Sequence, residues 1–187
     1  MLRSVRPTGP NALATPPLPL LGVSVAASGL AATLVLTHHR IPGGVAPAIA
    51  GLALLLGTVR ARRAGEPAAL FGERVVDRIF DAGVLAPLAW VARHGDERVA
   101  ALALFGLGAA FLASYERARG QSLGYRGSEG VGYRAVRVAI LAAALLTGRL
   151  EPLLWVFLAL TVAAAAVRAW NVALQQRGST ARMEGAP

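Results

Sequence analysis

Residues 73–92 read ERVVDRIFDAGVLAPLAWVA, and this stretch decides how the rest of the chain is interpreted. Glu73, Asp77 and Asp81 follow one another at intervals of four residues, so a helix places their three carboxylates on one face. The residues after Asp81 are uncharged as far as position 92. A row of carboxylates repels itself unless cations lie beside it. In a membrane-spanning helix, ionisable residues of this kind indicate a functional site.

The overall composition is that of a membrane protein. Of the 187 residues, 55% are hydrophobic and 16% are charged. In a typical soluble domain, about a quarter of the residues are charged. The apolar residues fall in blocks and do not alternate with polar ones. A soluble helical bundle with buried alanine and leucine helices is the alternative, but it would need more polar helix faces. The chain has no cysteine, which excludes disulfides and thiolate metal sites.

Six apolar blocks predict an all-α, polytopic integral membrane protein with six transmembrane helices in a single domain. The blocks are residues 18–37, 45–59, 75–92, 99–115, 134–147 and 152–172. The second and fifth are short, and their arginine-bearing ends are expected to reach the membrane interface. The domain is predicted to cover residues 17–174, between a loose N-terminal segment of residues 1–16 and a disordered cytoplasmic tail of residues 175–187. A cleaved signal peptide is the alternative for the first block, but its length and the five later blocks favour an uncleaved helix.

The arginines predict the orientation in the membrane. All 19 basic residues are arginine. Fourteen of them lie in the N-terminus, in the second and fourth connections and the block ends beside them, and in the C-terminus, against four in the other connections. This bias predicts that both termini are cytoplasmic in a multi-pass protein of the cell membrane, with membrane lipid as a partner. The net charge of +9 does not indicate nucleic-acid binding, because the arginines follow the ends of the apolar blocks.

The cytoplasmic connections carry most of the polar chemistry. Residues 114–137 read SYERARGQSLGYRGSEGVGYRAVR, and residues 60–63 read RARR. The planar guanidinium of arginine binds two phosphate oxygens at once, whereas carboxylate oxygens suit a divalent metal such as Mg²⁺ or Mn²⁺. The predicted metal ligands are Glu73, Asp77 and Asp81. The predicted phosphate-binding residues are Arg60, Arg117, Arg119, Arg126, Arg134 and Arg137. The alternatives are that Glu73 only forms interfacial ion pairs, and that Arg117 and Arg119 only anchor the topology.

These segments resemble the CDP-alcohol phosphatidyltransferase family, and most closely its actinobacterial phosphatidylinositol-phosphate synthase branch. Residues 77–82, DRIFDA, are similar to a family segment of the form DRISDG. Residues 114–119, SYERAR, are similar to SYIKAR, and residues 124–127, GYRG, to GLRG. Residues 133–137, YRAVR, align with ERPER. The resemblance implies a six-helix fold, metal-assisted displacement of CMP from a CDP-alcohol in phospholipid synthesis, and often a homodimer.

The chain also departs from the family signature. That signature reads D-x-x-D-G-x-x-A-R, followed by a spacer of eight residues and then by G-x-x-x-D-x-x-x-D. The resemblance implies that Asp77 is the general base, and Glu73 stands at the third aspartate. Leu52 and Leu55 stand where the first two metal-binding aspartates belong, and no acidic residue precedes Glu66. Half of the metal site is therefore missing.

Three hypotheses follow from this comparison. The favoured one is a degenerate member, a pseudoenzyme that binds a phosphorylated lipid or a nucleotide-type ligand at an arginine-rich pocket. The first alternative is an active, metal-dependent transferase. The second is an unrelated small transporter or membrane assembly factor.

Overall fold

The computed structural model describes residues 18–37, 40–64, 67–125 and 131–184. These segments form six α-helices and contain no β-strand, which confirms the all-α prediction. The helices are α1 (Leu18–Leu36), α2 (Arg40–Ala64), α3 (Pro67–Ala92), α4 (Glu97–Ser122), α5 (Val131–Thr147) and α6 (Leu150–Glu184). The loose segment predicted for residues 1–16 lies outside the described residues.

Each predicted apolar block coincides with one helix, but several helices continue past the block into charged sequence. Arginine, glutamate and alanine favour helix, so the backbone stays helical where the apolar pattern stops. The start of α3 at Pro67 agrees with the tolerance of proline in a first helical turn. The helix α6 runs to Glu184, past the predicted boundary at residue 174. No proline between these positions interrupts it.

The helices pack around a ring in the order α1, α2, α5, α6, α4, α3 and back to α1, and α2 also contacts α3 across the ring. Small residues allow the close contacts. A Cβ atom added at Gly51 of α2 would lie 2.0 Å from Val138 Cγ1 of α5, and one at Gly106 would lie 3.3 Å from the Phe157 ring of α6. The Ser24 hydroxyl of α1 donates to the Ala50 carbonyl of α2 at 3.0 Å. The ring therefore encloses a densely packed interior.

The bundle has two ends with different charge. The connections α2–α3 and α4–α5 and the end of α6 lie at the arginine-rich end, and the short connections α3–α4 and α5–α6 lie at the arginine-poor end. At the arginine-poor end, the Asp96 carboxylate accepts a hydrogen bond from the Val99 N–H at 3.1 Å and caps α4. Gly148, with φ +69°, makes the sharp turn between α5 and α6.

Two of the helices are long and apolar enough to cross a membrane, α4 and the segment Leu150–Gln175 of α6. The segments Gly22–Leu36 and Val45–Val59 are apolar but shorter. In α3 and α5 the apolar sequence is interrupted by charged residues that face the interior. Length and composition thus identify two candidate spans among the six helices that the sequence predicts as transmembrane.

Candidate functional site

A group of buried charges joins α3 to α5 in the interior of the ring. Its members, called here the ion cluster, are Asp77, Arg78, Asp81, Arg134 and Arg137. The exposed fraction is 4% for Asp77, 1% for Asp81, and 4% each for Arg134 and Arg137. The helical spacing of the sequence explains the arrangement, because Asp77 and Asp81 are one turn apart on α3, and Arg134 and Arg137 are one turn apart on α5.

Each carboxylate of the ion cluster contacts more than one guanidinium. Asp77 pairs with Arg78, with Arg134 (Nε to Oδ1, 3.1 Å) and at longer range with Arg137 (Nη1 to Oδ2, 3.8 Å). Asp81 pairs with Arg137 and with Arg78 (Nη1 to Oδ2, 2.9 Å). Such multiple pairing is what a buried carboxylate requires, because a single unpaired charge in an apolar interior is very costly.

Hydrogen bonds extend the ion cluster to two further helices. Arg134 donates through Nη1 to the Thr58 hydroxyl of α2 at 2.6 Å, and Thr58 donates to the Leu54 carbonyl of its own helix at 2.9 Å. Arg78 donates through Nη1 to the Ala110 carbonyl of α4 at 2.6 Å. The ion cluster therefore connects four helices, α2, α3, α4 and α5.

Aromatic rings close one side of the ion cluster. The Arg137 guanidinium lies 5.3 Å from the centre of the Phe157 ring of α6 and 5.7 Å from that of Tyr133, distances typical of cation–π contacts. Arg168 of α6 lies 5.9 Å from the same Tyr133 ring. The Tyr133 hydroxyl oxygen is buried and has no hydrogen-bond partner among the described residues. A buried hydroxyl without a hydrogen-bond partner is a position at which water or a ligand can bind.

The carboxylates of Asp77 and Asp81, predicted as metal ligands, form ion pairs with arginines. The side chain of Glu73, the third predicted ligand, lies outside what the structure describes. Among the described segments, no group of three histidine, cysteine, aspartate or glutamate residues is arranged to hold a metal ion. Three guanidinium groups around Asp77 and Asp81 repel a divalent cation and compete for the oxygens that it needs. The chemistry of this donor set does not fit a dinuclear Mg²⁺ or Mn²⁺ site.

The structure separates the arginines predicted to bind phosphate into three groups. Arg134 and Arg137 are buried in the ion cluster. Arg117 and Arg119 lie in the last turns of α4 at the arginine-rich end, where Arg117 is half-buried and Arg119 is exposed. The side chain of Arg60 and the whole of Arg126 lie outside the described residues. Of the six arginines predicted to bind phosphate, Arg117 and Arg119 are thus the two that the structure describes outside the ion cluster.

Sequence reasoning gave no site role to several contributors, among them Arg78, Thr58 and Arg168. Thr58 gives no signal in the sequence, because a threonine within an apolar helix usually bonds its own backbone. Arg168 is detectable as a lone charge within the sixth apolar block, and it donates to the Ala113 carbonyl of α4 at 2.9 Å. Lone charges in apolar blocks are therefore a usable indicator of interior contacts.

The aspartates of α3 and two of the arginines of α5 lie together as a closed ion-paired group, and further arginines lie beyond it toward the arginine-rich end. No protein-family model matches this chain, and no curated protein is significantly similar to it in sequence.

Proposed function

We propose that this protein is a multi-pass protein of the cell membrane, built on a CDP-alcohol phosphatidyltransferase-like architecture, that binds a phosphorylated ligand without turning it over. The single observation that carries the proposal is the ion pairing of Asp77 and Asp81 with arginines. Both carboxylates are held by guanidinium groups of the same chain. The carboxylates at which the family would hold metal are therefore already neutralised by arginines of the protein itself.

The membrane location is supported by the outer surface of the bundle. Large apolar side chains are exposed along α4 and α6, including Phe105 at 68%, Leu112 at 57% and Val167 at 60%. Soluble monomers rarely expose contiguous patches of this kind. Trp155 and Trp170, both more than half exposed, are fifteen residues apart on α6, about 22 Å along a helix axis. Tryptophans at such a separation are typical of the two interfaces of a bilayer.

Four shorter or charged helices complete the proposed six spans. The helix α5 has 17 residues, about 25 Å at 1.5 Å per residue, which is close to the hydrocarbon thickness of a bilayer. The helix α3 has 26 residues, about 39 Å. Its charged side chains Asp77, Arg78 and Asp81 face the interior of the ring, so they need not contact lipid. The arginine-rich end is then cytoplasmic, with both termini on that side.

The ligand chemistry is supported by what surrounds the ion cluster. Arg117 and Arg119 lie at the arginine-rich end, as does Tyr133, whose hydroxyl has no hydrogen-bond partner in the part of the chain that the structure describes. Guanidinium groups and a hydroxyl donor suit phosphate oxygens. A lipid phosphate and a nucleotide phosphate share this chemistry. Nucleic acid is not proposed as a partner, and a homodimer remains a prediction from the resemblance.

The binding experiment uses the full chain in phosphatidylcholine nanodiscs, titrated with CDP-diacylglycerol in one arm and with soluble CDP in the other. We expect Arg119→Ala with Arg126→Ala to weaken binding at least about tenfold, because a charge-assisted hydrogen bond contributes about 1.5–3 kcal/mol. Tyr133→Phe tests the hydroxyl and leaves the ring in place. Arg93→Ala, exposed at the arginine-poor end, is the matched control. Equal binding by all variants would end the proposal.

A second assay separates binding from catalysis. The same nanodiscs are incubated with CDP-diacylglycerol, a panel of hydroxyl-bearing acceptors and either Mg²⁺ or Mn²⁺, and CMP is measured. We expect no CMP above the protein-free background. Leu52 and Leu55 stand where the family has two metal-binding aspartates, and the remaining aspartates are paired with arginines. Metal-dependent CMP release that Asp77→Asn abolishes would replace the proposal with the active-transferase alternative.

A further inference from the structure

A cavity lies at the arginine-poor end of the bundle, away from the ion cluster. It has a volume of about 560 Å³ and is formed by the ends of α1, α3, α4, α5 and α6. This volume is within the range of about 300–1,000 Å³ that is typical of ligand pockets. Five fully buried side chains separate it from the ion cluster along the bundle. They are Val84, Leu85, Leu141, Leu154 and Phe157. The cavity is therefore a separate site, called here the outer cavity.

The walls of the outer cavity are apolar and its rim is charged. The walls include Leu34 and Val35 of α1, Leu88 and Val91 of α3, and Leu145 of α5. Water in a cavity needs two to four polar partners, which these five apolar side chains do not offer. An apolar chain is therefore the favoured filling. In the proposed membrane orientation, the outer cavity lies in the outer half of the bilayer, where acyl chains are the most abundant apolar group.

The rim combines charges of both signs. Asp96, Arg149 and Glu151 line it, and Glu151 lies 3.7 Å from Arg98 in a solvent-exposed pair. An exposed pair of this kind is weak and leaves the carboxylate available. Two carboxylates and one guanidinium disfavour an anionic head group and suit one that carries a phosphate and an ammonium together.

The backbone of the rim is held in place by local bonds. The cap on the Val99 N–H fixes Asp96. The Arg149 N–H donates to the Thr147 hydroxyl at 3.3 Å, next to the positive φ of Gly148. Such bonds are typical of a rim that keeps its charged groups in fixed positions before a ligand arrives.

We propose that the outer cavity binds one acyl chain of a zwitterionic aminophospholipid, with the lipid phosphate at Arg149 and its ammonium at Asp96 and Glu151. This inference depends on the proposed membrane location. It does not depend on the phosphate-binding function of the other end, so each can fail alone.

The test is native mass spectrometry of the full chain released from bilayers of equal parts phosphatidylethanolamine and phosphatidylglycerol with identical acyl chains. We expect the wild type to retain one phosphatidylethanolamine at least tenfold more often than phosphatidylglycerol. Val91→Trp and Leu34→Trp, placed on two different helices, fill the outer cavity and should abolish retention of that lipid. Val167→Trp, on the exposed face of α6, is the matched control and should retain it.

The head-group assignment has its own variant pair. Glu151→Gln should lower the preference between the two lipids, because only phosphatidylethanolamine carries an ammonium for this carboxylate, whereas Glu97→Gln, exposed at the same end in the first turn of α4, should keep it. Circular dichroism and a melting curve verify that each variant is folded. Retention of phosphatidylethanolamine by both tryptophan variants, or equal retention of the two lipids by the wild type, would overturn the inference. CDP-diacylglycerol binding at the other end should be the same in all these variants.

Discussion

Asp81 lies fourteen residues into α3, about 21 Å from the start of the helix. A carboxylate at that depth is stable only if its charge is compensated nearby. Arg137 and Arg78 provide the compensation, and Phe157 covers the guanidinium of Arg137. The aspartate therefore specifies where α5 must lie, because only one register of α5 presents Arg137 to it.

Removing one partner of this pair should be more harmful than removing both. We expect Arg137→Leu to lower the free energy of unfolding by about 3–5 kcal/mol, because it leaves buried carboxylates undercompensated. Asp81→Leu combined with Arg137→Leu should recover most of that loss. Reversible unfolding in mixed micelles measures both. Additive effects of the two substitutions would show that the residues are not coupled.

Divalent metal should not stabilise the protein. The oxygens of Asp77 and Asp81 are already bound by guanidinium groups, so Mg²⁺ or Mn²⁺ would have to displace three cations. The melting temperature is therefore expected to be the same in EDTA and in millimolar Mg²⁺. Asp77→Asn serves as the control for any general salt effect. A metal-dependent rise that this variant removes would instead favour the active-transferase alternative.

The residues of the ion cluster were partly predictable. The spacing of Asp77 and Asp81, and the arginines of the fourth connection, are visible in the sequence because charges are rare in apolar blocks. Their pairing is not visible, because it depends on α3 and α5 being positioned across the ring, and α4 intervenes in the chain between them. The contribution of Thr58 could not be predicted, because it depends on the rotation of α2 about its axis.

At the scale of the helices, close packing depends on particular glycines. Gly51 of α2 lies directly against Val138 of α5, which is in the turn after Arg137. The contact therefore sets the distance between α2 and α5 and supports the bond from Arg134 to Thr58. Gly108 of α4, by contrast, has no atom within 4 Å of where a Cβ would lie.

These two glycines make a matched pair of substitutions. Gly51→Ala should destabilise the protein by about 1–3 kcal/mol through overpacking, and adding Val138→Ala should restore most of the loss. Gly108→Ala should be neutral or stabilise by about 0.5–1 kcal/mol, because alanine favours helix. The melting temperatures of these three variants and of the wild type provide the measurement. If Gly51→Ala behaves like Gly108→Ala, the two helices are further apart than described.

The helices themselves were the most predictable feature. Apolar blocks give their number and approximate centres, because burial and lipid exposure both select apolar residues. Their ends were less predictable. The helices α3 and α4 continue into charged sequence, since helix propensity and caps such as Asp96 act independently of hydropathy.

At the scale of the whole molecule, the two ends of the bundle differ in charge and in proposed ligand. The arginine-rich end carries most of the positive charge. The arginine-poor end carries the outer cavity with its mixed rim. This asymmetry is the physical basis of the proposed orientation, because arginines are retained on the cytoplasmic side of a membrane.

The absence of cysteine in the sequence makes the orientation directly testable. His94→Cys and Ser122→Cys each place one thiol at an exposed position, at the arginine-poor and arginine-rich ends respectively. In intact cells, an impermeant maleimide should label the first variant, and it should label the second only after the membrane is opened. Gly95→Cys is a second reporter for the outer side. Labelling of both ends from the same side would contradict a membrane-spanning bundle.

The long separation between the partners of the ion cluster has a consequence for how the protein is made. Asp81 leaves the ribosome 56 residues before Arg137. Of its two ion-pair partners, Arg78 is three residues away, so it alone is present to neutralise Asp81 until Arg137 is made. During translation, Asp81 is therefore only partly neutralised until the fifth helix is made and Arg137 can pair with it. Chains that stop before that helix should be removed by membrane proteases.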